Sequence, residues 1–209
     1  MVASETALLI IDVQNDFCPG GALAVPDGDL VVPGINAIAP SFGRVVATRD
    51  WHPAGHISFA SRHGSEIGTT TQIGGIEQVM WPDHCVQGSR GAEFHPDLDR
   101  RPIDLIVHKG VRVDLDSYSA FFENDGRTPT GLQYYLSGLG ITSVCICGLA
   151  TDYCVSFTAT DAVRLGLKTH VVSDAVRGVD VPPGNIEKTI HDMKAAGVVF
   201  ISSGDVVDA

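Results

Sequence analysis

The sequence predicts an α/β fold in three layers, with helices over both faces of a central, mostly parallel sheet of six strands. Two features carry that expectation. Six short runs rich in Val, Ile and Leu lack the polar alternation of a strand with one wet face, so each reads as a strand buried on both sides. Between them lie stretches with helical spacing, and strands that alternate with helices form parallel sheets joined by crossovers. With 209 residues, 44% of them hydrophobic, the chain suits a single domain, 1–209, with a substantial core.

The first run, Thr6 to Asp12, ends in an acid, and the second, Arg44 to Thr48, stops just before Arg49-Asp50. Asp104 to His108, Ile141 to Cys147, Lys168 to Val172 and Gly197 to Ile201 supply the other four. Helix-like stretches fall around 30–40, 130–138, 152–166 and 184–196. The segment from Trp51 to Asp99 is rich in Gly, Pro and His and has little periodicity. A loop of that length is uncommon unless it serves a site, so it is expected to wall a pocket. Ser202 to Ala209 reads as a surface tail. In parallel sheets ligands bind beyond the carboxyl ends of the strands, where the strand order reverses, and the polar residues of interest cluster at those ends.

Composition narrows the function. The 14 basic and 25 acidic residues give a net charge of −11, which argues against a phosphate-backbone partner and supplies no basic patch for a membrane surface. The five cysteines, at 18, 85, 145, 147 and 154, are odd in number and form no regular framework. No N-terminal signal or long uncharged apolar run is present, so a reduced, cytoplasmic location is expected.

Cys154 lies in Gly148-Leu-Ala-Thr-Asp-Tyr-Cys-Val155, where a strand ends and a helix begins. Val155, Ala159, Ala162 and Val163 recur at helical spacing, with Thr151 or Asp152 available as N-cap. In the first helical turn, free N–H groups and the positive dipole end favour a thiolate and are placed to stabilise an oxyanion. Cys145 and Cys147, inside the strand, fit ordinary packing.

Asp12 emerges at the end of what should be a central strand, where burial raises a carboxyl pKa and suits a proton shuttle; ordering the Val13–Phe17 loop is the alternative. Lys109 follows the Asp104–His108 strand, which should neighbour it, and is placed to pair with Asp12 and to lower the pKa of a nearby thiol. Asp50 and His52, two residues apart in extended chain, present their side chains on one face. With His56 and with His84 from Trp81-Pro-Asp-His-Cys85, they make either an open metal site with bound water or a set of turn-capping histidines. Cys85 is a softer candidate ligand. His63, His95, His170 and His191 have no obvious partner and read as surface residues.

Together these residues resemble the nicotinamidases of the isochorismatase-like cysteine hydrolase superfamily. The resemblance spans nearly the whole chain: Leu9 to Phe17 with Gly20 to Leu23, Thr48-Arg-Asp-Trp-His-Pro53, Ile57 to Ala60, Trp81-Pro-Asp-His-Cys-Val86, His108-Lys-Gly110 and Gly148 to Val155. It implies the isochorismatase-like hydrolase fold and a catalytic triad of Asp12, Lys109 and Cys154, in which Asp12 takes the thiol proton and Cys154 attacks an amide carbon. It implies an oxyanion hole from the Ala150 and Cys154 N–H groups, with the peptide before Ala150 cis. The implied metal ligands are Asp50, His52 and His84, with His56 a fourth used by only some relatives. The ion is a divalent transition metal, zinc first and iron or manganese as alternatives, and the ring nitrogen of the substrate binds it directly. Phe17, Trp81 and Tyr118 match positions that pack around a pyridine ring, beside Ala150 and Tyr153, the last standing where some relatives have His. The implied reaction is hydrolysis of nicotinamide, and of pyrazinamide, to the acid and ammonia in NAD salvage, with a homo-oligomeric assembly.

Two rivals are weighed against this. Another amide or carbamoyl hydrolase of the same superfamily would use the triad without the metal, and Asp50, His52 and His84 count against it. A noncatalytic binding or thiol redox module is opposed by the absence of a Cys-x-x-Cys pair and by Asp12 and Lys109 at strand ends.

Overall fold

The computed structural model describes residues 2–207. In chain order its main elements are β1 (Thr6–Ile11), α1 (Val31–Ile38), β2 (Val45–Asp50), α2 (Ala60–His63), β3 (Thr70–Ile73), β4 (Ile76–Val79) and β5 (Leu105–Lys109). There follow α3 (Leu132–Gly138), β6 (Ser143–Leu149), α4 (Ser156–Arg164), β7 (Lys168–Arg177), α5 (Asn185–Ala195), β8 (Val199–Ile201) and α6 (Ser203–Val207). The six expected strands form one sheet in the order β5-β2-β1-β6-β7-β8, with every pairing parallel.

The apolar runs read continuously because both faces of the sheet are covered. Along β1, Leu8 and Ile10 join the core beneath α1 and α6, while Ala7, Leu9 and Ile11 join the core beneath α3, α4 and α5. Leu8, Leu9, Ile10 and Ile11 have 0% exposure, and each such side chain contributes about 1.5 to 3 kcal/mol of burial. Strand order runs outward in opposite directions from the β1/β6 pair, so the switch point lies between them. Their carboxyl ends carry Asp12 and Ala150, which puts both where a parallel sheet opens its crevice.

Three expectations need correction. Ser202 onward is not a surface tail: Ser203–Val207 is a helix whose Val206 is buried in the α1-side core, and Asp174 accepts hydrogen bonds from the backbone N–H and hydroxyl of Ser203; Asp208 and Ala209 lie outside the described residues. The 51–99 segment is not without regular structure, since it holds α2 and an antiparallel β3–β4 hairpin. The last strands differ in length from the sequence reading: β7 continues to Arg177 past an irregularity opposite Ile146–Gly148, and β8 is only three residues long.

Candidate active site

Four strand ends bring the chemistry together. Asp12 follows β1, Asp50 closes β2, Lys109 closes β5 and Ala150 follows β6. Lys109 is not on a strand adjacent to β1, as the sequence suggested; β2 lies between, and its long side chain spans the gap. Lys109 Nζ is fully buried, 2.9 Å from Asp12 Oδ2, against Asp50 Oδ1, 3.0 Å from the Ser117 carbonyl and 3.4 Å from Cys154 Sγ. Burial alone would strip its proton, but the Asp12 and Asp50 carboxylates outweigh it and hold the ammonium charged, well above the ordinary lysine range.

Asp12 receives a hydrogen bond from Thr48 Oγ1 at 2.6 Å on Oδ1, while its Oδ2 has only the ion pair with Lys109. Burial pushes its carboxyl pKa up against the pull of Lys109, which suits a group that takes and returns a proton. The loop ordering considered for Asp12 is done instead by Gln14, whose amide nitrogen donates to the Asp50 and Ala92 carbonyls and whose oxygen accepts the Asp50 N–H.

Cys154 sits in a wide turn. Gly148 has φ of 109°, and a Cβ there would stand 2.1 Å from the Ile11 carbonyl oxygen, so only glycine lets β6 pass β1 at this point. The Leu149–Ala150 peptide is cis. Thr151–Val155 then forms a π-helical turn before α4, and the Ala150 carbonyl accepts from the Tyr153 and Val155 N–H groups on either side of Cys154. Neither Thr151 nor Asp152 caps it; the N-cap position is Ala150, with no side-chain capping bond. Burial pushes the Cys154 thiol well above its ordinary value, Lys109 pulls it down by less, and Asp12 and Asp50 add to the rise. Such a thiol needs a base beside it, and the Asp12 carboxylate lies within 4.8 Å of Sγ.

The expected metal donors converge. Asp50 Oδ2 lies 3.5 Å from His52 Nε2 and 3.8 Å from His84 Nε2, and all three side chains are buried. The far nitrogens are engaged by backbone carbonyls, His52 Nδ1 with Gly110 at 2.9 Å and His84 Nδ1 with Pro82 at 2.8 Å. A carbonyl can only accept, so both Nδ1 atoms carry the hydrogen and both Nε2 atoms face Asp50. Two imidazoles that present Nε2 and a carboxylate fit a divalent transition metal such as zinc, iron or manganese. His56 is not brought into this set: its ring stacks on His52 at 4.1 Å, and its nitrogens contact Ser58 Oγ at 2.8 Å and the Leu115 carbonyl at 3.2 Å. Cys85 is buried beside His84 but stays outside the converging donors. Among the remaining histidines, His63 and His191 are exposed, while His95 and His170 are half-buried.

Cys154, Asp50 and His84 open onto a common cavity. Phe17, Trp81, Tyr118, Ala150 and Tyr153 line it, as the sequence suggested, together with Leu23, Val179 and Asp116. Trp81 Nε1 donates to Tyr118 Oη at 3.0 Å, and the Tyr153 ring meets both edge-on, so the aromatic wall is internally braced. The 51–99 segment supplies Trp81 and His84 to this wall. Sequence reasoning missed Thr48, Gln14 and Asp116. Asp116 is buried at the cavity, accepting from the Ser117 N–H and from Gln78 Nε2, and a carboxylate seven residues past Lys109 in a loop carries no sequence signal of its own.

Comparison with known proteins agrees with this arrangement. Residues 6–205 match the isochorismatase domain family. The chain is 48% identical over 203 residues to the nicotinamidase of Escherichia coli strain K12, covering 95% of each. A solved Acinetobacter nicotinamidase/pyrazinamidase superposes with a TM-score of 0.96 at 48% identity, over 99% of this chain and 100% of that one. The Pyrococcus horikoshii pyrazinamidase, solved in complex with zinc, superposes with a TM-score of 0.79 at 39% identity, over 95% and 99%. The chain belongs to the nicotinamidases of the isochorismatase-like hydrolase superfamily.

Proposed function

We propose that this protein hydrolyses nicotinamide to nicotinate and ammonia through a thioester on Cys154, in NAD salvage, with a divalent metal ion held by Asp50, His52 and His84. The observation that carries the reading is the meeting of a proton carrier, an ammonium and a thiol beside three converging metal-type donors, with Cys154, Asp50 and His84 open to one cavity. The zinc in the Pyrococcus horikoshii pyrazinamidase makes zinc the first candidate.

In this reading Asp12 takes the proton of Cys154 as Sγ attacks the carboxamide carbon. Lys109 keeps both negative groups close without competing for the proton. The Ala150 and Cys154 N–H groups receive the developing oxyanion. Asp12 then delivers its proton to the leaving nitrogen, so that ammonia departs and a thioester remains. A water molecule, deprotonated by Asp12, attacks the thioester carbon and releases nicotinate, and the proton returns to Sγ. When bound, the metal supplies a Lewis acid for the pyridine nitrogen, which fixes the ring and aims the carboxamide at Cys154.

The test is ammonia release from nicotinamide, pyrazinamide and small carbamoyl compounds by the purified protein. Nicotinamide is expected to be turned over best, and Cys154→Ala to lose about 10⁴-fold in kcat with an unchanged circular dichroism spectrum. Unaltered ammonia release in that variant would remove the thioester mechanism, and preferential cleavage of carbamoyl compounds would replace the substrate.

A further inference from the structure

Asp152 is two residues before the nucleophile, buried, and directed away from the cavity. Having no role as a helix cap, its carboxylate reaches across to the segment that follows β7. Oδ1 accepts the Val179 N–H at 2.9 Å, and Oδ2 accepts the Asp180 N–H at 2.9 Å and the Asn185 side-chain amide at 3.2 Å. Tyr153, the next residue, donates its hydroxyl to the Val181 carbonyl at 2.7 Å. Asp180 in turn accepts the Ile186 N–H at 3.1 Å, and the Pro182 carbonyl accepts the Asn185 N–H at 3.0 Å, so the segment is pinned at both ends of its turn. Asp180 holds a left-handed φ of 56°, a conformation that needs such fixing in a residue with a side chain.

Val179 is part of the cavity wall, and Tyr153 contributes to the same wall from the nucleophile's turn. The wall beside Cys154 is therefore built from two segments that are distant in sequence and joined by one carboxylate and one phenol. An aspartate with three N–H donors is stronger than any neutral side chain at that place, since charge-assisted bonds are shorter and about twice as strong.

We propose that Asp152 is a positioning residue, assisted by the Tyr153 hydroxyl, which latches the 178–185 segment to the nucleophile's turn and so sets the width of the substrate pocket at Val179. This rests on the proposed nicotinamide hydrolysis for its kinetic consequence, though not for its structural one. Asp152→Asn keeps the shape but leaves a single acceptor oxygen for three donors, and Tyr153→Phe removes only the bond to Val181. Both variants retain Cys154, Asp12, Lys109 and the metal donors.

The experiment has two arms. Hydrogen exchange followed by peptide mass spectrometry is expected to show at least tenfold faster exchange across 178–185 in Asp152→Asn, a smaller increase in Tyr153→Phe, and no change in β1. In parallel, kcat/KM is measured for nicotinamide and for a series of ring-methylated nicotinamides. The preference for the unmethylated amide is expected to contract at least fivefold in Asp152→Asn and less in Tyr153→Phe, through KM more than through kcat. Unchanged exchange in the segment overturns the latch. Faster exchange with equal proportional losses on every substrate, in a protein whose β1 protection is native, overturns the specificity role. Failure of the native protein to hydrolyse any of these amides would instead overturn the proposed function, and the exchange arm would still decide the latch.

Discussion

Two clusters of buried donors share His52 and differ in how their outer atoms are occupied. In one, Asp50, His52 and His84 turn their facing atoms toward a common point, because backbone carbonyls hold the far nitrogens of both rings. In the other, His52, His56 and Asp116 lie equally close, yet both His56 nitrogens contact oxygens of Ser58 and Leu115, and both Asp116 oxygens accept protein hydrogen bonds. Proximity and burial are the same in the two sets. What separates a ligand set from a packed polar cluster is whether the inward lone pairs are left without a protein donor.

The largest expected effect breaks that comparison directly. His52→Ala should lose the metal, measured by elemental analysis after dialysis, with nicotinamide turnover down about 10³-fold, whereas His56→Ala should keep near one equivalent. His56→Ala should cost about 1 to 3 kcal/mol of stability, because Ser58 Oγ and the Leu115 carbonyl would be left without their imidazole partner, and urea unfolding reads that cost. Loss of the metal in the His56 variant alone would invert the assignment.

An intermediate effect is expected at Gly110. Its φ is 59°, and a Cβ would stand 2.4 Å from His52 Cε1. Gly110→Ala should therefore tilt the His52 ring and weaken metal affinity about 10- to 100-fold, the cost typical of disturbing an outer-sphere partner. Native affinity in a competition titration would show that the carbonyl contact does not orient the ring.

The smallest effect concerns Glu123, behind the second cluster. Burial pushes its pKa from the ordinary 4.5 to about 7, against the Ser117 hydroxyl and Lys109, and its Oε2 has no hydrogen-bond partner. The folded state thus keeps the proton longer than the unfolded chain. Stability should fall as pH rises from about 4.5 to 7 and level off above, and Glu123→Gln should remove about 1 to 2 kcal/mol of that decline. A native-like slope in the variant, from urea unfolding at several pH values, would assign the pH dependence elsewhere.

Much of the fold is legible in the sequence because a doubly covered sheet writes itself as apolar runs, and four of the six end at positions with chemistry: Asp12, Asp50, Lys109 and the Gly148 turn. Strand order is not legible, and so the sequence alone sets Lys109 one strand too close to Asp12. The helix-start argument for Cys154 weighs the dipole and not complete burial, which pushes the thiol pKa up and leaves no local sequence pattern. Asp152 resembles an N-cap by position; its true partners lie 27 to 33 residues away, beyond any local pattern. The C-terminal helix escapes detection because five residues are too few to show a helical period.

The contacts of Lys109 carry a consequence for the electrostatics of turnover. Its ammonium touches both carboxylates and the sulfur, so a proton that moves between Cys154 and Asp12 relocates one negative charge from one side of a fixed cation to the other. The sum of charge within the site is the same before and after the transfer. No counter-ion has to follow the proton, and the bond-making step is thereby insulated from ionic strength even in a chain with a net charge of −11.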